Sequence, residues 1–175
     1  VVLGETDVLK TLQMMPGVQG GNEGLSGIYV RGGGVDENLM LLDGTAIYNV
    51  SHLFGLLSVF TPEAVKKVTV YKGSFPARYG GRVSSVVDVR TNDGNSKKLS
   101  GSVTAGFLAE KFHLEGPLKN ENTTFSLSAR GMHTFLFDRV IKWAGSPLNY
   151  AFYDINAKVS HKFSDRSRGW IGLYS

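Results

Sequence analysis

The chain has 175 residues, 42% hydrophobic and 19% charged, which suits one ordinary domain or a small domain with an appendage and excludes a disordered chain. Its formal charge is +4, but Lys and Arg are scattered and never run longer than two, so a solvated basic surface explains them better than a nucleic-acid footprint. Cysteine is absent, which excludes disulfides and Cys-ligated metal. No stretch approaches the roughly 20 apolar residues of a membrane helix, which leaves membrane β-strands open.

The first predicted element is a short helix. Thr6-Asp7 can cap it, Val8, Leu9, Leu12 and Met15 fall at helical spacing, and Pro16-Gly17 ends it. Gln19 to Gly27 reads as a polar, Gly-rich loop. Tyr29–Arg31 and Leu39–Leu42 read as strands joined by Gly32 to Asn38. Asp43-Gly44 is a turn, with the Asp43 side chain expected to bond its own backbone. Ile47-Tyr48 resumes a short strand. Val50 to Phe60 reads either as a loop packed on the core or as a short helix. Thr61 with Pro62 starts a helix of one or two turns. Lys67–Lys72 is a strand, Gly73-Ser74 turns, Phe75 to Tyr79 is extended or helical, and Ser84–Thr91 is a further strand.

Asn92 to Lys98 holds only polar residues and Gly, which is linker chemistry. Beyond it the period becomes two. Leu99, Gly101, Val103, Ala105 and Phe107 alternate with Ser100, Ser102, Thr104 and Gly106. Phe125, Leu127 and Ala129 alternate with Ser126, Ser128 and Arg130. Ile155, Ala157, Val159, His161 and Phe163 alternate with polar residues. The spacing predicts strands over Leu99–Phe107, Lys111–Leu118, Thr123–Met132, Phe152–Phe163 and Gly169–Tyr174. Short polar turns at Lys119–Asn122 and Asp165–Arg168 contrast with a long connection from Phe135 to Tyr150, which holds Trp143 and Pro147. That asymmetry describes a membrane barrel wall, though a soluble β-sandwich with one wet face alternates in the same way.

No catalytic constellation is present. The four His, at 52, 113, 133 and 161, show neither HxxxH nor HExxH spacing, and His113 and His161 fall on opposite kinds of face. No serine sits in a GxSxG elbow. Asp43 and Asp88 are candidate acids by residue type alone. Arg31-Gly32-Gly33-Gly34 lacks the Lys-Ser/Thr of a phosphate loop, so a turn between strands explains it better.

Five motifs carry a resemblance: Tyr29-Val30-Arg31-Gly32, Leu41-Leu42-Asp43-Gly44, Thr69-Val70-Tyr71-Lys72-Gly73, Arg78-Tyr79-Gly80-Gly81 and Ser85-Val86-Val87-Asp88-Val89-Arg90-Thr91. In this order they resemble the plug domain of TonB-dependent outer-membrane receptors, and Leu114-Glu115-Gly116-Pro117-Leu118 looks like that family's second barrel strand. The resemblance implies an α+β plug domain, a mixed sheet with short helices, over residues 1–93. Antiparallel strands of a truncated transmembrane β-barrel would follow over 94–175, the chain being read as part of a longer protein. The motif turns would be Gly32, Asp43, Gly44, Gly73, Tyr79 and Gly80. Arg31 and Arg90 would be candidates to lock the plug to barrel carboxylates, since a buried guanidinium needs a bidentate partner.

The family implies active import of a scarce nutrient through a barrel of about 22 strands, a size whose lumen is plugged. Implied partners are a TonB-type energy-coupling complex, outer-membrane lipid and the nutrient, which is a siderophore, cobalamin, glycan or peptide; no nucleic acid is implied. The location would be the outer membrane, with the plug facing the periplasm. No enzyme activity, cofactor, metal site or catalytic residue is expected. The Gly-rich segments Gln19–Gly27 and Gly32–Gly34 would be weak or substrate-facing. Two departures stand out: Thr69 replaces the family's usual acidic residue, and nothing before Val8 looks like the coupling segment. The rival reading is a soluble secreted β-rich ligand- or protein-binding module.

Overall fold

The computed structural model describes residues 6–21, 27–52, 55, 57–106, 109–133 and 151–175. The middle of the Gly-rich loop, part of the segment up to Phe60, Phe107, and the long connection with Trp143 and Pro147 lie outside them. The chain divides into two compact units, Val1–Asn92 and Asp93–Ser175.

Unit 1 opens with helix α1, Val8–Gln13, which buries Leu9 and Leu12. Asp7 caps it by accepting the Lys10 N–H at 3.0 Å, and its other carboxylate oxygen accepts the Ser58 N–H at 2.5 Å. One acidic side chain thus satisfies a helix end and ties it to a strand 51 residues on. Strand β1, Val18–Gly20, pairs antiparallel with β2, Ile28–Val30. The expected loop from Gln19 therefore begins as a strand, because Val18 faces the core between Gly17 and a polar run.

The centre of unit 1 is a four-stranded sheet. Its order is β4 (Thr45–Ala46), β3 (Asn38–Leu42), β8 (Ser85–Thr91), β7 (Val65–Lys72). β3 and β8 run parallel and the other pairs antiparallel. β8 is one of the two inner strands, with Val86, Val87 and Val89 fully buried, as a strand covered on both faces must be. Asn38 fastens the sheet to β2: its Nδ2 donates to the Ile28 carbonyl at 2.9 Å and its Oδ1 accepts from Ser85 at 2.6 Å.

Several local expectations are corrected. The strand after the Asp43-Gly44 turn is Thr45–Ala46, and Tyr48 is exposed, because a two-residue turn resumes pairing at once. The segment before Phe60 forms a small ribbon, β5 (Ser51–His52) with β6 (Leu57–Ser58), and Leu57, Val59 and Phe60 pack into the core. Pro62–Ala64 is a single 3-10 turn with Thr61 in the capping position but no side-chain cap bond. Phe75 to Tyr79 is neither strand nor helix but a turn closed by Tyr79 N–H on the Pro76 carbonyl at 3.0 Å.

Unit 2 is a five-stranded antiparallel meander, β9 (Ser100–Ala105), β10 (Ala109–Pro117), β11 (Thr123–His133), β12 (Ala151–Ser164) and β13 (Ser167–Tyr174), each paired with the next. Its faces are inverted relative to a soluble sheet. Ser126, Ser128, Arg130, Asp154, Asn156, Lys158 and Ser160 are buried. The apolar set points outward: Val103 is 77% exposed, Phe163 69% and Ile171 82%, with Val159 also exposed and Phe125 and Leu127 half-buried. The polar face carries a fully buried ion pair, Arg130 Nη2 to Asp154 Oδ2 at 2.5 Å, between residues opposite each other on β11 and β12. The Arg130 guanidinium also lies 5.4 Å from the centre of the Phe152 ring.

Candidate functional site

Two clusters in unit 1 gather the residues singled out in the sequence. The first is a cleft of about 460 Å³ on one face of the four-stranded sheet. Leu39 and Leu41 from β3 and Ala46 from β4 make its apolar floor, turns contribute Gly44 and Gly80, and Arg78, Tyr79 and Arg90 make its polar wall. Residues 88 and 90 point the same way from β8 because side chains alternate along a strand. Arg90 therefore donates through Nε and Nη2 to Asp88 Oδ2, at 3.2 and 3.0 Å. The Tyr79 hydroxyl donates to the same oxygen at 3.3 Å, while Oδ1 of Asp88 is buried and accepts no hydrogen bond.

Arg78 Nη2 donates to the Tyr79 hydroxyl at 2.9 Å and its guanidinium lies 4.7 Å from that ring's centre. The Tyr79 hydroxyl bond holds the Arg78 guanidinium above its ordinary range, so it stays charged. Tyr71 stacks at a tilt, 5.5 Å from Tyr79. The cleft presents two cationic groups over an apolar floor, an arrangement that accepts a carboxylate or another anion.

The second cluster is Arg31 with Gly73. Arg31 follows β2 in the left-handed region, φ 50°, and Gly32 continues at φ 82°. Its side chain is exposed and lies over Gly73, where a Cβ would sit 2.7 Å from Nη1. Gly73 needs to be glycine for its own φ of 78°, whereas the exposed end of the Arg31 side chain can shift away from an added Cβ. Among the described residues no carboxylate pairs with Arg31. The run from Gly32 to Gly34 is a bonded turn rather than a loose loop. Gly33 N–H donates to the Val30 carbonyl at 3.0 Å, Gly34 N–H donates to Glu37 Oε2 at 3.1 Å, and a Cβ at Gly33 would strike Ser84.

Asp43 and Gly44, at φ 48° and 88°, make the two-residue turn between β3 and β4. The sequence assigned the Asp43 carboxylate to its own backbone. It crosses the sheet end to Thr91, accepting the N–H at 3.1 Å and the hydroxyl with its other oxygen. Gly80 carries no positive φ; in that motif Gly81 does, at 80°. The sequence marks Arg78 and Tyr71 only as members of motifs, without a role, and gives no sign of the Arg130–Asp154 pair. The Asp88–Arg90 spacing was a readable signal, whereas the other contacts depend on register. Among the described residues no group of His, Asp or Glu is arranged to hold a metal ion.

A mixed-sheet domain with these turns, followed by a meander that is apolar outside and polar inside, defines a plugged membrane-barrel class of protein. Residues 2–87 match the family profile described as TonB-dependent Receptor Plug Domain, and this part of the chain belongs to that family. Several solved structures resemble it in fold, among them the following two. The siderophore receptor PirA from Pseudomonas aeruginosa shares 21% identity over 91% of this chain, with a TM-score of 0.57. The FrpB iron transporter from Neisseria meningitidis shares 20% over 96%, with a TM-score of 0.59. The chain spans 28% of the length of each. No curated protein matches it significantly.

Proposed function

We propose that this chain is the periplasm-facing plug and the first wall strands of a receptor that imports a scarce nutrient across the outer membrane under the pull of a TonB-type complex. The observation that carries this reading is the inverted meander of unit 2 directly after a plug domain. A wall whose polar face is buried and whose apolar face is exposed suits lipid outside and a filled lumen inside. It weighs against the soluble-module reading, which would bury Val103 and Phe163. The names of the two similar structures favour an iron chelate over cobalamin, glycan or peptide. Arg31 and Arg90 serve as locks to wall carboxylates: Arg31 is exposed and unpaired among the described residues, and Arg90 lines an open cleft with one guanidinium edge committed to Asp88. The role is transport rather than covalent chemistry.

The test is growth under iron limitation of a strain that depends on the full-length receptor, supplied in turn with single iron chelates. Chelate-dependent growth that vanishes when the energy-coupling complex is deleted is expected. Growth that survives that deletion would reject active import, and growth on a glycan, cobalamin or peptide alone would reject the iron chelate.

A further inference from the structure

The segment after unit 1 reads as linker, yet its first residue is held by three strands of unit 2. Asp93 Oδ1 pairs with Lys158 Nζ of β12 at 3.0 Å, and Oδ2 pairs with Arg168 Nη1 of β13 at 3.3 Å. The Asp93 carbonyl accepts the Thr124 hydroxyl of β11 at 2.5 Å. The Lys158 side chain is 7% exposed and Asp93 23%, so this pair is shielded from solvent, whereas Arg168 at 54% is not. Lys158 also lies 5.0 Å from the centre of the Trp170 ring, which fixes the ammonium from a second side. Gly94 follows at φ 93°, pressed on the β11 backbone, where a Cβ would meet the Phe125 carbonyl oxygen at 2.3 Å. Only glycine both adopts that φ and lets the chain lie this close.

The position of this contact matters mechanically. β9 is an outer strand of the meander and among the described residues pairs only with β10. Without a hold at Asp93, tension passing down the chain from unit 1 would reach Ser100 first and load β9 one hydrogen bond at a time. With it, the load passes at Asp93 into β11, β12 and β13, where it must break a shielded ion pair and a packed glycine together.

We infer that Asp93, Gly94, Lys158 and Thr124 form a strain-relief clip, which stops tension in the plug from unzipping the first wall strand. The clip rests on the reading of this chain as a force-driven plug, but it is testable without import. In the full-length receptor, held in a lipid nanodisc and pulled by the N-terminus of the plug, a separate rupture is expected after the plug has extended to residue 92. Asp93→Asn and Lys158→Met should each make that rupture roughly tenfold faster at equal load, leaving the earlier plug events unchanged. The double variant should be no faster than either single one, since both remove the same contact. Asp93→Glu should restore most of the resistance. Absence of a distinct rupture beyond the plug overturns the clip, as does a wild-type rate in both single variants or strictly additive effects in the double. A receptor that did not import by force would still show the rupture, so failure of the functional reading and failure of the clip are separately visible.

Discussion

At the scale of single residues, two non-glycine positions with positive φ sit in the plug motifs, and among the described residues a side-chain contact holds Asp43 there but not Arg31. Asp43 keeps φ 48° because its carboxylate collects two donors from Thr91. Asp43→Ala loses both bonds and places a Cβ residue with no compensation in the left-handed region, so a loss of about 2–4 kcal/mol is expected. Asp43→Asn, which tolerates that region and keeps one acceptor, should lose roughly half as much. Chemical denaturation of residues 1–92 measures both. Arg31, at φ 50°, has no such compensating bond from its side chain among the described residues. Arg31→Gly should therefore leave the stability of residues 1–92 within about 1 kcal/mol, because relieved strain offsets added chain entropy. In the full-length receptor the same variant should raise entry of antibiotics too large for porins, since a buried wall carboxylate would lose a partner worth about 3–5 kcal/mol. Unchanged entry at normal expression would remove Arg31 from the lock.

At the scale of elements, the meander depends on its polar face being paired as well as buried. Arg130 and Asp154 face each other across β11 and β12, both side chains 1% exposed, so neither can be solvated if the other is lost. Arg130→Met should lower the stability of the folded receptor in detergent by about 3–5 kcal/mol, and adding Asp154→Leu should recover much of it. A double variant as unstable as the single one would show that packing around the pair, not the orphaned charge, sets the cost. The outer face obeys the opposite rule. Ile171 points outward from β13 beside Val159 of β12. Ile171→Lys should cost up to about 2–4 kcal/mol if it lies near the bilayer centre, whereas Ser167→Lys at the β12–β13 turn should be nearly neutral. Comparing thermal unfolding of the two in the same bilayer checks which face meets lipid.

At the scale of the whole molecule, the two units have different requirements in water. Unit 1 buries its own apolar core, from Leu9 and Leu12 through Val86, Val87 and Val89. Unit 2 exposes its apolar face, and its outer strands β9 and β13 each pair on one side only among the described residues. Both features are association surfaces. Light scattering on residues 1–175 in buffer without detergent should show oligomers, while residues 1–92 should be monomeric. A monodisperse monomer of the full 175 residues would contradict the exposed arrangement of Val103, Phe163 and Ile171.

Much of this architecture was legible from period and punctuation. Alternation over residues 99–174 placed all five strands of unit 2 to within a few residues and put His113 and His161 on opposite faces, because a strand's two-residue period is imposed by local backbone geometry. Asp-Gly and Lys-Gly marked turns for the same local reason, φ greater than zero. What the sequence left undecided are contacts between residues far apart along the chain. Nothing local says that Asp43 reaches Thr91, that Ser85 meets Asn38, or that Asp93 is gripped by Lys158 and Arg168 rather than left in a free linker. Nor does alternation say which face is buried: a soluble sheet and a barrel wall share the same pattern, and only the packed structure, with Arg130 and Asp154 inside and Val103 and Ile171 outside, separates them.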